Sequence, residues 1–425
     1  MNEVRHHYAF AYQPVLDERQ ASVAVELRYR VLQGAEDPLE VANVIIGAFI
    51  HSGLDDLLRH RRAHVPVGAA LLASTLPALL PADHVVLEVD AGICCNDEAL
   101  AACRLLKERG YQFAWRNYER LACDGLGAWL ALMDIIKLDV HQLRNGDSVA
   151  TLAALRQWPA RLQASHVERR EDFELARQCG FSLFQGYYFA HATEVAGERA
   201  DPDKLAVLEL LDKLALDVDD PVLEGIFKGS PRLVLHLLRL VNSSGFALQT
   251  RIRSLKHAFA ILGRRELARW LHILLFALGD GAGTATPLLE LALRRARFME
   301  FIPRYRTHAT RSLLQDEAYL TGILSLADVL LGWPMEKVAE RLHLAHDVKV
   351  ALLERAGPLG DLLSLCEKLE VADFDAVEEI AARLQLSEEA VMHSQNVALV
   401  WSNFVAHPTA IEDDSANGTP ETSAD

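Results

Sequence analysis

Four side chains far apart in the sequence carry the chemistry this chain has to offer: Glu26, Glu88, Lys137 and Gln185. They are two carboxylates, an ammonium and an amide. Gln13 precedes them, and Arg30 adds a guanidinium whose forked donors suit a phosphate. Glu26, Glu88, Arg116, Lys137, Ser165 and Gln185 all fall at or just after the end of a strand candidate. In a barrel of alternating strands and helices, that rim is where chemistry occurs.

The elements that must position them run through the first 190 residues. Segments 8–15, 22–30, 84–90, 111–115, 134–139, 161–165 and 181–187 are short, rich in Val, Ile, Leu and aromatics, and bounded by polar turns. Between them lie helix-period segments such as 96–109 and 171–179, each ended by a glycine. This alternation predicts a (β/α) barrel, a little short for the usual size. After about Asp201 strand signals stop. Helical periodicity is predicted over 204–216, 231–241, 255–262, 264–278, 287–301, 311–331, 334–341, 346–356, 358–370, 376–384 and 388–404. Ser230 before Pro231 reads as an N-cap with proline at the first helical position. Residues 279–286 read as a mobile glycine-rich linker. The fold class is therefore α/β plus all-α: a barrel domain at 1–200, a helical domain at 201–406, and a disordered acidic tail at 407–425.

The ordered motifs carry a resemblance. Tyr12-Gln13-Pro14-Val15 followed by Val25-Glu26-Leu27-Arg28-Tyr29-Arg30 resembles the opening of the EAL family of cyclic di-GMP phosphodiesterases, which runs roughly YQPI then EALLR. Leu87-Glu88-Val89 is similar to that family's LEIT, Ile136-Lys137-Leu138-Asp139 to its LKID, and Gln185-Gly186-Tyr187 to its QGY. The resemblance implies a TIM-like barrel. It also implies that Glu26, Glu88 and Gln185 occupy metal-ligand positions, with Lys137 at the lysine that contacts the nucleophilic water. Four other positions depart from the pattern. The asparagine ligand falls near Gly68, the two adjacent aspartates become Arg116 and Asn117, and the glutamate of EGVE becomes Ser165. A unit-charge pair at about 4 Å is worth roughly 4 kcal/mol at an effective dielectric near 20, so losing three carboxylates and adding a guanidinium outweighs any tenfold change in metal affinity. The expectation is a pseudoenzyme with no metal and no cofactor. Cyclic di-GMP binding without hydrolysis remains open, with Arg30 as phosphate anchor beside Gln13 and Glu26. In that case Arg116 serves as a substitute cation, or else it pairs with Glu26 or Glu88 and fills the site.

A second resemblance covers the helical half. Asp220-Pro221 through Asn242-Ser243-Ser244-Gly245-Phe246, then Ile252-Arg253-Ser254-Leu255 and Ala258 to Gly263, is similar to the HDOD module, a helical relative of HD phosphohydrolases. Where HD enzymes place their metal-binding His-Asp dipeptide, Ser325 and Leu326 stand, and neither is a strong ligand. His346-Asp347 lies in the wrong context and reads as a polar pair at a helix start. Fusion of a degenerate EAL domain to HDOD is a recognised bacterial signalling architecture. It implies a non-enzymatic scaffold in motility or biofilm control, working through signalling or regulatory protein partners, with a homodimer also compatible. The alternatives are a cyclic di-GMP effector and an active phosphodiesterase. Asn242, Gly245 and Phe246 are the candidate interaction residues.

Composition sets the outer limits. The chain has 425 residues, 51% of them hydrophobic and 24% charged, with a formal net charge of -16. That balance argues against DNA or an anionic membrane as bulk electrostatic partner. Six cysteines show no CxxC pair, and no segment has the length and apolarity of a membrane span or signal peptide, so residence in the cytoplasm is expected. The basic run Arg294-Arg295-Ala296-Arg297 reads chiefly as a solvated helix face, and otherwise as a contact surface for an acidic partner or RNA.

Overall fold

The computed structural model describes residues 8–31, 61–93, 96–116, 126–144, 148–191, 201–241, 254–278, 286–302 and 311–406. Among the predicted features, Asn117, the Asn242–Phe246 turn, most of the glycine-rich linker and the acidic tail lie outside the described residues. So does the side chain of Arg30.

Eight strands close into a barrel: β1 Tyr8–Asp17, β2 Ser22–Val31, β3 Arg62–Val67, β4 Val85–Asp90, β5 Gln112–Arg116, β6 Ile135–Asp139, β7 Arg161–Ser165 and β8 Leu183–Gln185. Neighbours from β2 to β8 run parallel, whereas β1 is antiparallel to both β2 and β8. The link between β1 and β2 dictates this. Parallel pairing needs a crossover of a dozen or more residues, and only residues 18–21 separate these strands. Asp17 locks the turn by accepting the backbone N–H groups of Arg19 and Ala21 at 2.9 and 2.8 Å.

The sequence reading missed β3. Its centre is His64-Val65-Pro66, and a proline inside a short run argues against a central strand. Here Pro66 pairs with Glu88 in parallel register. Its carbonyl also accepts the Tyr29 hydroxyl at 3.1 Å. A second correction concerns placement. Glu26, Glu88 and Lys137 sit inside their strands rather than at the ends, because β2, β4 and β6 each continue past the motif residue. Arg116, Ser165 and Gln185 do end theirs.

Helices α1 Ala69–Leu72, α2 Asp97–Glu108, α3 Leu126–Leu130, α4 Ser148–Leu155 and α5 Arg170–Gln178 follow successive strands. Asn96 caps α2 by accepting the Ala99 N–H, as its residue type favours. Trp115 of β5 points outward onto Trp129 of α3, ring centroids 5.5 Å apart. Inside the barrel, Val15, Ala24, Val86, Ala114, Ile135 and Leu183 form an apolar floor. Five of them lie two residues before a site residue or, on antiparallel β1, two after one, so strand alternation puts the site directly above this floor.

The rest is helical: α6 Pro202–Ala215, α7 Asp220–Gly229, α8 Pro231–Val241, α9 Leu255–Ala277, α10 Pro287–Phe301, α11 Arg311–Leu324, α12 Ala327–Leu331, α13 Met335–Arg341, α14 His346–Glu354, α15 Gly357–Glu370, α16 Phe374–Arg383 and α17 Glu388–Ala406. Helix α7 was not predicted, whereas the break predicted at Gly263 is there: its backbone leaves the helical region at φ 70° and ψ 164°, so α9 is two helical stretches meeting at that residue. The segment predicted as one helix over 311–331 is two, because Ser325 turns back and donates its hydroxyl to the Gly322 carbonyl at 2.8 Å. One apolar core spans these helices.

The two halves share an interface. Leu399 of α17 is buried in the barrel's outer core. Arg61, just before β3, donates to both carboxylate oxygens of Glu290 at 2.6 and 3.1 Å and to Asn403 at 3.2 Å. Arg294 donates to the Tyr12 carbonyl on β1 at 3.3 Å. No described helix is long and apolar enough to cross a membrane.

Candidate functional site

The barrel brings Gln13, Glu26, Glu88, Lys137 and Gln185 together in one interior layer. Lys137 lies between the two carboxylates, its ammonium donating to Glu26 at 2.7 Å and also to Glu88. Gln185 donates to Gln13 at 2.8 Å and to Glu26 at 2.5 Å. Glu26, Glu88, Lys137 and Gln185 are each no more than 3% exposed.

Two members of this layer escaped the sequence. His64, in the unrecognised β3, sits 3.0 Å from Glu88 through Nδ1. Burial holds its pKa below the usual histidine range. The neutral ring therefore donates its Nδ1–H to a carboxylate that can only accept. Gln163 on β7 donates to Gln185 at 2.8 Å. The alternation of β7 places Gln163 two residues before Ser165 on the same face, which was the available signal. Arg28, two residues on from Glu26 in the same string, donates to it at 3.1 Å.

Burial alone would raise the Glu26 carboxyl, but the Lys137 ammonium and then Arg28 outweigh it and hold the acid well below the carboxylate range. The cluster is balanced: Glu26 and Glu88 contribute two negative charges, Lys137 and Arg28 two positive ones. Two divalent cations would bring four further positive charges into a layer that has no carboxylate left to meet them. Glu88 Oε2 and Gln163 Oε1 are buried acceptors without a hydrogen-bond partner, too few for such a pair. The residues present do not fit the two-metal set implied by the resemblance. Among the described residues, no group of three or more His, Cys, Asp and Glu is arranged to hold a metal ion.

Gly68, Arg116 and Ser165, three of the positions that depart from the family pattern, lie above this layer, at the rim. Arg116 does not pair with Glu26 or Glu88, as one expectation held. It reaches Asp90 at 3.6 Å, on the neighbouring strand in direct register, and both side chains are about two-fifths exposed. Lys137 has taken the role imagined for it, because its strand carries it between the two acids. Ser165 ends β7 and Gly68 precedes α1, with neither offering a charged ligand. The Gln185-Gly186-Tyr187 turn is wedged against Val167, whose N–H reaches the Gln185 carbonyl at 2.9 Å. Gly186 has φ +149°, and a Cβ there would meet the Val167 carbonyl oxygen at 2.0 Å. Only glycine lets Gln185 end its strand pointing inward at this spot.

The second locus is the position of the HD dipeptide. Ser325 accepts from Arg295 at 3.1 Å, and Arg295 forks onto both oxygens of Glu370 at 2.7 and 2.6 Å. A buried guanidinium thus stands beside Ser325. This also corrects the basic run. Arg295 is paired inside, Arg297 donates to Glu300 at 2.7 Å and lies over Trp401, and Arg294 serves the domain junction. The run is not a solvated face, because α10 is buried on several sides. His346 and Asp347 open α14, as a polar pair at a helix start.

Residues 206–345 match the HDOD domain family. The chain is 27% identical, over 93% of its length, to the cyclic di-GMP phosphodiesterase CdgJ of Vibrio cholerae, and covers 92% of that protein. It is 26% identical over 92% of its length to the uncharacterized protein YuxH of Bacillus subtilis, covering 97% of it. The structure of EAL enzyme Bd1971 with cAMP and cyclic di-GMP bound matches 43% of this chain at 17% identity, with a TM-score of 0.35. The chain spans 61% of the length of that structure. The architecture is a closed eight-stranded barrel followed by a helical region that carries the HDOD match. The HDOD match ends before α14. Helices α15 and α17, which lie against β1, therefore belong to the portion beyond it.

Proposed function

We propose that the chain is a cytoplasmic signalling protein of the cyclic di-GMP network that acts through protein–protein contacts and does not hydrolyse the dinucleotide. The observation that carries this reading is Lys137 between Glu26 and Glu88: both acids that a metal pair would need are already neutralised from within. The substitutions at Arg116, Asn117 and Ser165 support it, since a guanidinium, an amide and a hydroxyl stand where the resemblance implies three carboxylates. CdgJ carries the name of a phosphodiesterase, and at 27% identity its activity is the competing reading. The test is direct. The purified full chain, given cyclic di-GMP with Mg²⁺ or Mn²⁺, should form no linear dinucleotide. Metal-dependent turnover that disappears in Glu26→Ala overturns the proposal.

Binding without hydrolysis is the second reading. Strand β2 continues through Arg30, whose backbone pairs with Ala9 of β1. If the dinucleotide binds, Arg30→Ala should cost about 1.5–3 kcal/mol, the scale of a hydrogen bond to a charged group. Absence of binding heat at high micromolar nucleotide would retire this reading.

A further inference from the structure

The turn that follows the barrel's last strand is shared between two cores. Gln185 points into the barrel, where it bonds Gln13 and Glu26. Two residues on, Tyr187 is buried in the core of the helical domain. Tyr188 turns back into the barrel's outer core and stacks on Phe173, with ring centroids 4.7 Å apart. Phe189 touches both tyrosines, its centroid 5.8 Å from each. Burial pushes the Tyr187 hydroxyl pKa up, and Glu370 adds to the rise while Arg294 and Arg295 oppose it. The ring therefore lies in the field of the pair that flanks Ser325.

Gln13, the amide bonded to Gln185, has a similar neighbour. Alternation along β1 sends Tyr12 to the outer face of the barrel. There its hydroxyl donates to Asn396 of α17 at 3.3 Å, and its carbonyl accepts from Arg294 of α10. The bonded amides thus have, on each strand, a tyrosine that reaches the helical domain. The link is stiff. Val167 donates its N–H to the Gln185 carbonyl at 2.9 Å and accepts the Tyr188 N–H at 3.1 Å, which clamps the turn on both sides of Gly186. Gly186 itself lies against the Val167 backbone with no room for a methyl group. Close-packed segments of this kind pass a displacement on rather than absorb it.

We propose that Tyr12 and Tyr187 couple the barrel interior to the helical domain, so that a change in the hydrogen bonds of Gln13 and Gln185 repositions α10 and α17. A charge or ligand arriving at Glu26 alters those bonds, and the helical domain carries the response. The two ends are energetically linked through the tyrosines, and linkage of this kind works in both directions. The coupling acts whether or not the barrel binds or hydrolyses cyclic di-GMP, so it stands or falls separately from the function proposed above.

Trp401 is a built-in reporter. It lies beyond Asn396 on α17, and the Arg297 guanidinium of α10 sits 5.5 Å from its ring, so it touches both helices that grip Tyr12. The full chain, labelled with fluorotryptophan, is observed by fluorine NMR, and Trp401→Phe assigns the line. Gln13→Met and Gln185→Met should each shift it. Gln13 is the less buried of the two, so its variant keeps the test valid if Gln185→Met does not fold. Arg116→Met, on β5 and four strands from β1 either way round the barrel, should leave the line in place. Tyr12→Phe with Tyr187→Leu should at least halve the shift caused by Gln13→Met, and Tyr12→Phe alone should already reduce it. A Trp401 line unmoved by Gln13→Met overturns the proposal. So does a shift that is undiminished without the two tyrosines, or an equal shift from Arg116→Met.

Discussion

The ammonium of Lys137 lies 2.7 Å from the carboxylate of Glu26, and both side chains are almost completely excluded from solvent. Glu88 receives the same ammonium from the other side. Removing one partner from a buried pair costs about 3–5 kcal/mol, because the remaining charge stays desolvated. Lys137→Met should therefore destabilise the barrel by about that amount in chemical denaturation, while Lys137→Arg should lose less. The pH response should also change sign. In the parent, Glu26 titrates below its unfolded value, so its contribution is present above the ordinary carboxylate pKa and fades as pH falls beneath it. Without the ammonium, the raising effect of burial on Glu26 loses its largest opponent. The variant should then be more stable near pH 5 than at pH 8. A Lys137→Met protein as stable as the parent at pH 8 would show that the pair does not hold the barrel interior.

Arg295 and Glu370 form the corresponding pair in the helical domain, with side-chain exposures of 8% and 11%. Arg295→Met alone should cost about 3–5 kcal/mol. The double variant Arg295→Met with Glu370→Leu should return to within about 1 kcal/mol of the parent or exceed it, because a hydrophobic replacement needs no desolvation of charge. Denaturant midpoints of the three proteins form a double-mutant cycle. Strict additivity of the two single losses would contradict the pairing.

Acid sensitivity should begin above the carboxylate range. Burial pushes His272 down to about 4. Its folded pKa lies below its unfolded value near 6.5, so the unfolded chain takes up the proton first. The stabilising contribution is full above about pH 6.5 and is lost as pH falls towards 4, at about 1.4 kcal/mol for each unit of separation. His272→Leu should flatten the stability profile between pH 6.5 and 4. His64 is shifted in the same direction by burial, so part of the slope should persist. Identical slopes in parent and variant would show that His272 is not buried neutral.

Much of the barrel could be read in advance because strand alternation and glycine-ended helices are local signals. The strand at Arg62–Val67 could not, since Pro66 contradicts the local rule and only its neighbours β2 and β4 justify it. His64 was lost with it. The chemical types at Glu26, Glu88, Lys137 and Gln185 were legible, but their pairing was not: Lys137 and Glu26 are 111 positions apart, and only closure of the barrel makes them partners. The same distance problem misled the reading of Arg295, whose acid lies 75 positions away on α15. A run of arginines looks solvated until the helices bearing its partners are folded over it.

Gly322 marks the closest approach within the helical domain and gives the sharpest test of its packing. It lies on α11 against α10, and a Cβ at that position would sit 2.6 Å from the Ala296 Cα. The obstacle is backbone, so a side-chain rotation cannot relieve it. Gly322→Ala would ordinarily strengthen an isolated helix by roughly 1 kcal/mol. Here the two helices must separate, and overpacking of this kind costs about 1–3 kcal/mol. The shift would also disturb Ser325, which donates to the Gly322 carbonyl and accepts from Arg295. Gly322→Ala should therefore lower the denaturation midpoint, and the loss should shrink when Arg295→Met has already removed the buried pair. A stabilised Gly322→Ala variant would show that α10 and α11 are not this close, and would undo the placement of Arg295 beside Ser325.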